Sequence, residues 1–297
     1  MTLPIVIAGP TASGKTELAL GLASLLKTAV ISADSRQVYK ELTIGTAKPG
    51  GFWQDGLYKV NGIPYYMVDF LDPDKTFNAG EFCKEAAKVK GIFCGGTGFY
   101  LDAFFFGLNE LPKDANIRKE LSALSKAELH RRLKEVDPKS AAEIPEGNIQ
   151  RVMRALEIFL ITKKPASVLR DKSKERDFSK KAFFIYLNPD KEVLNKRIEE
   201  RTNKIFDGMA NEAEKLLKKG YVKETAALKS LGYPQAIEFL EGKIMRSQAI
   251  EKIIILTRQY AKRQRTWFNR YKGVLEIKNP ADWPPDKIAQ IYLNGII

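Results

Sequence analysis

Residues 5–16 read Ile-Val-Ile-Ala-Gly-Pro-Thr-Ala-Ser-Gly-Lys-Thr. Ile5 to Ala8 form an apolar, mostly β-branched run that ends on glycine and predicts a buried strand. The next eight residues, Gly9-Pro10-Thr11-Ala12-Ser13-Gly14-Lys15-Thr16, match G-x-x-x-x-G-K-[ST]. A helix is expected from Glu17 to Leu26, with Leu18, Leu22 and Leu25 on one stripe. A strand, a glycine loop and a helix in that order are the context in which the pattern makes a P-loop. Its glycines let backbone N–H groups converge on phosphate oxygens at the positive end of a helix. Lys15 brings a point charge to the terminal phosphate, and the Thr16 hydroxyl is the expected ligand of Mg²⁺. Such a loop binds a di- or triphosphate without specifying which group is transferred.

Further strands are predicted at Ala29–Ser32, Tyr65–Val68, Gly91–Cys94 and Ala182–Leu187, with an edge strand over Gly273–Lys278. A helix is expected over Ala79–Val89. Strands alternating with helices predict an α/β fold whose parallel sheet is covered on both faces. Between Pro112 and Lys181 no strand-like run occurs. Leu121, Leu124, Leu129 and Leu133 keep helical spacing there. A second helix follows Asn148, its expected N-cap, with Ile149, Met153, Leu156 and Leu160 as its stripe and Pro165 as its stop. A charged stretch, Lys163 to Lys181, leads back to the sheet. The expected organisation is a P-loop core, 1–112 and 182–297, carrying an all-helical insertion, 113–181. From 194 to 271 the chain reads as mostly helical.

Composition agrees with an ordinary globular protein: 297 residues, 44% hydrophobic and 29% charged. Two cysteines, Cys83 and Cys94, exclude a disulfide framework. A single histidine, His130, excludes His-pair metal sites, argues against a Ser-His-Asp hydrolase, and reads as a helix-surface residue. No stretch approaches the ~20 apolar residues of a membrane span, and the N-terminal run reads as a strand, not a signal peptide. No membrane association, the cytoplasm and a monomer are the default expectations. The net charge is +13. Residues 1–112 hold 10 basic and 11 acidic side chains, 113–181 hold 18 and 11, and 182–297 hold 21 and 14. A neutral front followed by a basic remainder predicts a small-molecule site beside a polyanion surface. A merely solvated basic surface is the other reading.

Three loops should share the carboxyl edge of the sheet, where ligands of such folds collect. Asp34, in Ala33-Asp-Ser-Arg-Gln-Val-Tyr39, is a general-base or water-mediated Mg²⁺ candidate, or a helix N-cap. Gly95-Gly96-Thr97-Gly98 can bring backbone and a hydroxyl to a phosphate, or be only a turn. Gly45-Thr-Ala-Lys48-Pro49 is similar, with one cation. Arg258, Lys262, Arg263, Arg265, Arg270 and Lys272 fall in a run without acidic residues. Tyr260, Trp267 and Tyr271 form one stripe of it, read as core, with a base-stacking platform as the alternative.

The set GPTASGKT (9–16), ADSRQVY (33–39), IGTAKP (44–49) and GGTGFY (95–100) resembles the bacterial tRNA dimethylallyltransferases. QRVMRALE (150–157), KSLGYPQA (229–236) and KRQRTWF (262–268) extend the resemblance over nearly the whole chain. It implies a nucleotide-kinase-like P-loop core with a helical insertion. It also implies transfer of a dimethylallyl group from dimethylallyl diphosphate to N6 of the adenosine at position 37 of tRNA. Thr11 to Thr16 would cradle the diphosphate, with Thr16 on Mg²⁺. Asp34 would bind the N6 amino group and take its proton, and Thr97 would touch the diphosphate and the reacting centre. Ser35, Arg36 and Gln37 would hold the target base and its neighbours. The helix segment Gln150, Arg151, Val152, Met153 and Arg154 would meet the anticodon stem-loop, as would Arg118. Lys262, Arg263 and Arg265 suit tRNA phosphates. Arg201 matches the family's phosphate-binding arginine, although Asn203 stands where the family usually has aspartate.

Adenine N6 is a poor nucleophile, so orientation and leaving-group stabilisation must supply most of the acceleration. The allylic carbon develops positive charge, so a dry apolar channel is expected too. Three rival readings use the same loop: an adenylate dimethylallyltransferase, a small-molecule kinase and a non-catalytic RNA-binding NTPase. The first two have no need of two basic helical regions, and the third has no need of Lys15, Thr16, Asp34 and Thr97 together.

Overall fold

A computed structural model of the protein describes residues 3–108, 111–169 and 176–295. The chain splits into two compact units, Met1–Gly107 with Arg176–Ile297, and Leu108–Glu175. The expected insertion, 113–181, therefore begins five residues earlier and ends six earlier. Residues 170–175 of the charged return stretch lie outside the described residues.

Among the described residues the first unit has ten strands: β1 (Ile5–Ala8), β2 (Ala29–Ser32), β3 (Phe52–Gln54), β4 (Leu57–Val60), β5 (Ile63–Tyr66), β6 (Gly91–Gly95), β7 (Arg176–Asp177), β8 (Phe183–Leu187), β9 (Tyr271–Lys272) and β10 (Val274–Ile277). Eight make one sheet in the order β10-β8-β1-β6-β2-β5-β4-β3; β7 and β9 pair separately. The six strands from β10 to β5 run parallel, and β1 lies between β8 and β6. β1 and β8 are buried along their whole length, as apolar runs covered on both faces must be. The Val274–Ile277 strand is the sheet's edge, as the sequence predicts. β3 and β4 add an antiparallel extension that the sequence reading lacks. Its turns are Asp55-Gly56 and Asn61-Gly62, all four at positive φ, the backbone of tight hairpins. Met67 and Asp69 also take positive φ, so the strand expected over 65–68 instead ends at Tyr66.

Helices of this unit are α1 (Lys15–Leu25), α2 (Ala79–Ala86) and α3 (Gly98–Phe106). The helices of the second unit are α4 (Ala115–Ser122), α5 (Lys126–Val136), α6 (Pro138–Glu143), α7 (Ile149–Thr162) and α8 (Ala166–Leu169). The first unit then resumes with α9 (Lys191–Lys218), α10 (Tyr233–Leu240), α11 (Arg246–Phe268) and α12 (Pro285–Leu293). α1 packs its Leu18, Ala19 and Leu22 against the sheet. Truncating Leu22, fully buried, to alanine costs about 2–5 kcal/mol. Among the described residues no helix is long and apolar enough to cross a membrane.

In the second unit Leu121, Leu129, Leu133 and Leu156 close an all-helical core. Asn148 caps α7 by accepting from the Arg151 N–H, as its sequence position predicts. Lys163, in the left-handed region, ends that helix two residues before Pro165. The buried face of α7 runs through Val152, Ala155 and Leu156, while Leu160 is 38% exposed, so the stripe is rotated from the one expected. Burial alone would raise the Asp137 carboxyl, but bonds from the N–H and hydroxyl groups of Ser140 and Ser167 hold it below its ordinary value. His130 Nε2 lies 3.2 and 3.1 Å from the Ala141 and Ile144 carbonyls, a tether within this unit.

Candidate active site

The loop between β1 and α1 takes a shape that its glycines permit. Gly14 has φ 92°, and no side chain caps α1, so the first N–H groups of the helix point outward for an anion. A Cβ on Gly9 would lie 2.3 Å from the Leu187 carbonyl oxygen. Lys15 folds back over the loop, donating to the Pro10 carbonyl at 2.6 Å and the Ser13 hydroxyl at 3.4 Å. Desolvation lowers its pKa to about 8, with Cys94 and Asp34 pulling upward and Arg201 downward. Burial pushes the phenol of Tyr65, which also lines the cavity, well up.

α9 delivers Arg201 to the same loop, 190 residues away in the chain. Its Nη2 donates to Thr11 Oγ1 at 2.7 Å, while its buried Nε has no hydrogen-bond partner. Burial lowers its pKa, opposed by the Asp34 charge. An unsatisfied buried N–H on a cation at a phosphate loop is a donor waiting for an anionic oxygen. Asn203, the departure from the family pattern, faces away and donates to the Glu199 carbonyl.

Asp34 leaves the end of β2 and its Oδ1 accepts from the Arg36 N–H at 2.8 Å. No helix follows, so the N-cap alternative gives way to a local side-chain turn. Thr97 Oγ1 accepts from the Ser35 N–H at 3.1 Å and joins the Asp34 loop to the glycine loop after β6. Burial pushes the Tyr260 phenol up. Gln37 is buried, accepting from Ser32 and donating to the Ala47 carbonyl. It thereby locks the 44–49 loop. Arg36 is exposed, with a long 3.4 Å contact to the Ala226 carbonyl.

The P-loop, Asp34, Ser35, Arg36, Gln37 and Arg201 line one cavity of about 710 Å³. The apolar side chains of Ile205, Met209, Leu231, Ile253 and Leu256 also line it, interspersed with polar ones such as Thr202, Gln235 and Thr257. Among the described residues no cluster of three or more His, Cys, Asp or Glu side chains could hold a metal ion by itself. The hard oxygens of Thr16 and Asp34, both lining the cavity, suit Mg²⁺ that takes its other ligands from phosphate and water.

The basic helix is mostly committed. Arg258 pairs with Glu199 at 2.8 Å, and the half-buried Arg265 brings its charge near the Tyr186 phenol. Arg270 stacks on Trp267 at 3.9 Å and pairs with Asp102. Lys262 and Arg263 are exposed on α11. Of the aromatic stripe, Tyr271 is buried and Trp267 half-buried, while Tyr260 lines the cavity. In the second unit Gln150 and Arg151 are exposed and Met153 is half-buried. Val152, expected among the tRNA contacts, is instead 1% exposed in the core and cannot present its side chain. Arg118 and Arg154 turn onto Glu157, which is fully buried. Arg118 grips it at 2.8 and 3.0 Å and Arg154 at 2.6 Å.

Among the buried polar side chains that the sequence reading did not single out are Glu212 and Gln264. Glu212 accepts from the N–H groups of Thr43, Ile44 and Gly45 and from the Tyr233 hydroxyl. Gln264 accepts from the Thr11 N–H and donates to the Gly96 carbonyl. The available signal for Gln264 was its place between Ala261 and Phe268 on a face otherwise buried and apolar.

A glycine loop between a strand and a helix at the carboxyl edge of a parallel sheet, opening into a cavity, defines a P-loop protein. A family model for IPP transferase matches residues 37–271, and one for isopentenyl transferase matches residues 3–58. The tRNA dimethylallyltransferase of Elusimicrobium minutum is 51% identical over 293 residues, covering 94% of this chain and 95% of its own. The crystal structure of the full-length tRNA isopentenylpyrophosphate transferase from Bacillus halodurans matches with a TM-score of 0.67 at 30% identity. It covers 99% of this chain and 96% of that one. A eukaryotic dimethylallyltransferase acting on tRNA shares the fold, with a TM-score of 0.76 at 24% identity, over 99% of this chain and 80% of that one. The chain belongs to the IPP transferase family and is a prenyltransferase.

Proposed function

We propose that this chain transfers a dimethylallyl group from dimethylallyl diphosphate to N6 of adenosine 37 of tRNA, next to the anticodon, releasing diphosphate. One observation carries the reading: a phosphate cradle, apolar side chains and the Asp34 carboxylate share one cavity. The N6 lone pair forms a bond to C1 of the donor as the C1–O bond breaks and its electron pair leaves on diphosphate. The N6 proton passes to Asp34. The P-loop amides, Lys15 and Arg201 take up the leaving-group charge, and Thr97 holds the acceptor loop. Thr16 would hold Mg²⁺, which would supply further neutralisation of the leaving-group charge. The target base must leave the anticodon-loop stack to enter such a cavity. Lys262 and Arg263 on α11 suit the tRNA backbone, as do Gln150 and Arg151 on α7. Arg118 and Arg154 belong to the same reading, each with a guanidinium already anchored on Glu157. We take the working form to be a cytoplasmic monomer.

The test is a transfer assay with labelled dimethylallyl diphosphate, Mg²⁺ and either unmodified tRNA or AMP, ADP and ATP. Label in tRNA alone, lost when adenine 37 is replaced by guanine, is the expected result. Label in free nucleotide alone would move the chain to the adenylate class. Asp34→Ala should abolish transfer while sparing tRNA binding; activity within a few-fold of wild type would remove Asp34 as the base.

A further inference from the structure

The buried amide of Gln264 lies between the two halves of the site. Its Oε1 accepts from the Thr11 N–H at 2.8 Å and its Nε2 donates to the Gly96 carbonyl at 2.9 Å. A primary amide is suited to this pair of tasks, accepting from one backbone and donating to another. Each partner is itself engaged. Thr11 Oγ1 accepts from Arg201, on the leaving-group side. Gly96 precedes Thr97, which accepts from Ser35 beside Asp34, on the acceptor side. The fit admits no side chain at position 96: a Cβ there would lie 2.1 Å from Gln264 Nε2. Gln264 is 5% exposed, so a polar group is kept on a buried helix face where an apolar one would pack at lower cost. The spacing between donor and nucleophile is what such a clamp would set, and an error of about 1 Å there costs about 10²-fold in rate.

We propose that Gln264 is a positioning residue that holds the diphosphate loop and the acceptor loop in register for transfer, an inference that rests on the prenyl-transfer reading above. Gln264 lines the cavity, but both of its polar atoms are spent on Thr11 and Gly96, and through them it acts.

The experiment compares wild type with Gln264→Ala, Gly96→Ala and the double variant. Steady-state transfer to tRNA, tRNA affinity and calorimetric affinity for inorganic diphosphate are measured for each. Gln264→Ala should lower kcat about 10²-fold and diphosphate affinity about tenfold, with tRNA affinity within twofold. Gly96→Ala, which leaves the amide in place but displaces it, should lower kcat as well. In the double variant the added methyl meets no amide, so its kcat should equal that of Gln264→Ala alone. Two outcomes overturn the proposal. One is kcat and diphosphate affinity within twofold of wild type in Gln264→Ala, whatever its melting temperature. The other is a double variant whose losses simply multiply. A wild type that prenylates no tRNA would refute the functional reading instead. The diphosphate affinities would then decide the clamp by themselves.

Discussion

Replacing Arg201 with methionine should separate activity from stability in opposite directions. The guanidinium makes one 2.7 Å bond to a neutral hydroxyl and buries an unpartnered Nε. Burial already lowers its pKa, the mark of a cation held where water is scarce. A methionine of similar length loses that one bond, about 1.5–3 kcal/mol for a charged donor. It also removes a desolvation penalty of several kcal/mol. Melting of Arg201→Met is therefore expected within about 2 °C of wild type, or above it. Transfer should fall about 10²–10³-fold, the cost of losing one donor to a developing oxyanion. A third reading comes from ligand-induced stabilisation. Diphosphate at 100 times its Kd adds about 2.7 kcal/mol to wild type. A variant binding tenfold more weakly keeps about 1.4 kcal/mol, so roughly half the melting shift. Scanning calorimetry with and without diphosphate, beside single-turnover transfer, reads all three. A loss of more than about 5 °C without ligand would make Arg201 a structural residue, and transfer within fivefold of wild type would remove it from the leaving-group site.

Lys15 should give the site a pH limit. With its pKa lowered to about 8, the ammonium is lost as pH rises through 8, and diphosphate affinity should fall by up to about tenfold per unit above that. Lys15→Arg, which does not titrate there, should lack the fall in calorimetry between pH 7 and 9. The linked stability effect has the reverse slope: between the folded value and the ordinary 10.5 the unfolded chain binds more protons, so stability rises with pH in that window. Glu157→Gln should destabilise the protein by about 2–4 kcal/mol in urea unfolding, since Arg118 and Arg154 lose their shared counter-charge. Burial alone would raise that carboxyl, yet the two arginines hold it below its ordinary value. Its contribution is therefore present above about pH 4.5 and lost as pH falls through the folded value, a dependence the Gln variant should lack.

The strand, glycine loop and helix of residues 5–25 were legible because their causes are local: a contiguous apolar run, a left-handed Gly14 and a leucine stripe. The edge strand at Val274–Ile277 and the Asn148 cap were legible for the same reason. The β3 and β4 strands were missed although Asp55-Gly56 and Asn61-Gly62 are strong turn signals. They are only three or four residues long, and Phe52 and Trp53 stay exposed, so no alternation marks them. On α7 the periodicity announced a buried face but left its rotation open by about one residue. Val152 was expected among the tRNA contacts because the resemblance covers the whole segment 150–154, and a linear motif does not say which of its side chains face the core.

Residue identity and spacing were enough for the phosphate loop, the parallel sheet, the helical insertion and the family, because each rests on short-range backbone chemistry or a linear motif. Folding alone selected the pairings. Thr11 meets Gln264 across 253 residues and Arg201 across 190, and Glu212 reaches the 43–45 loop across about 168. It also turned Arg118 and Arg154 onto Glu157, leaving Lys262 and Arg263 in solvent. A linear pattern states which charges and amides a chain carries. Which of them lose water together, and so must satisfy one another, depends on burial, and burial is a property of the packed molecule.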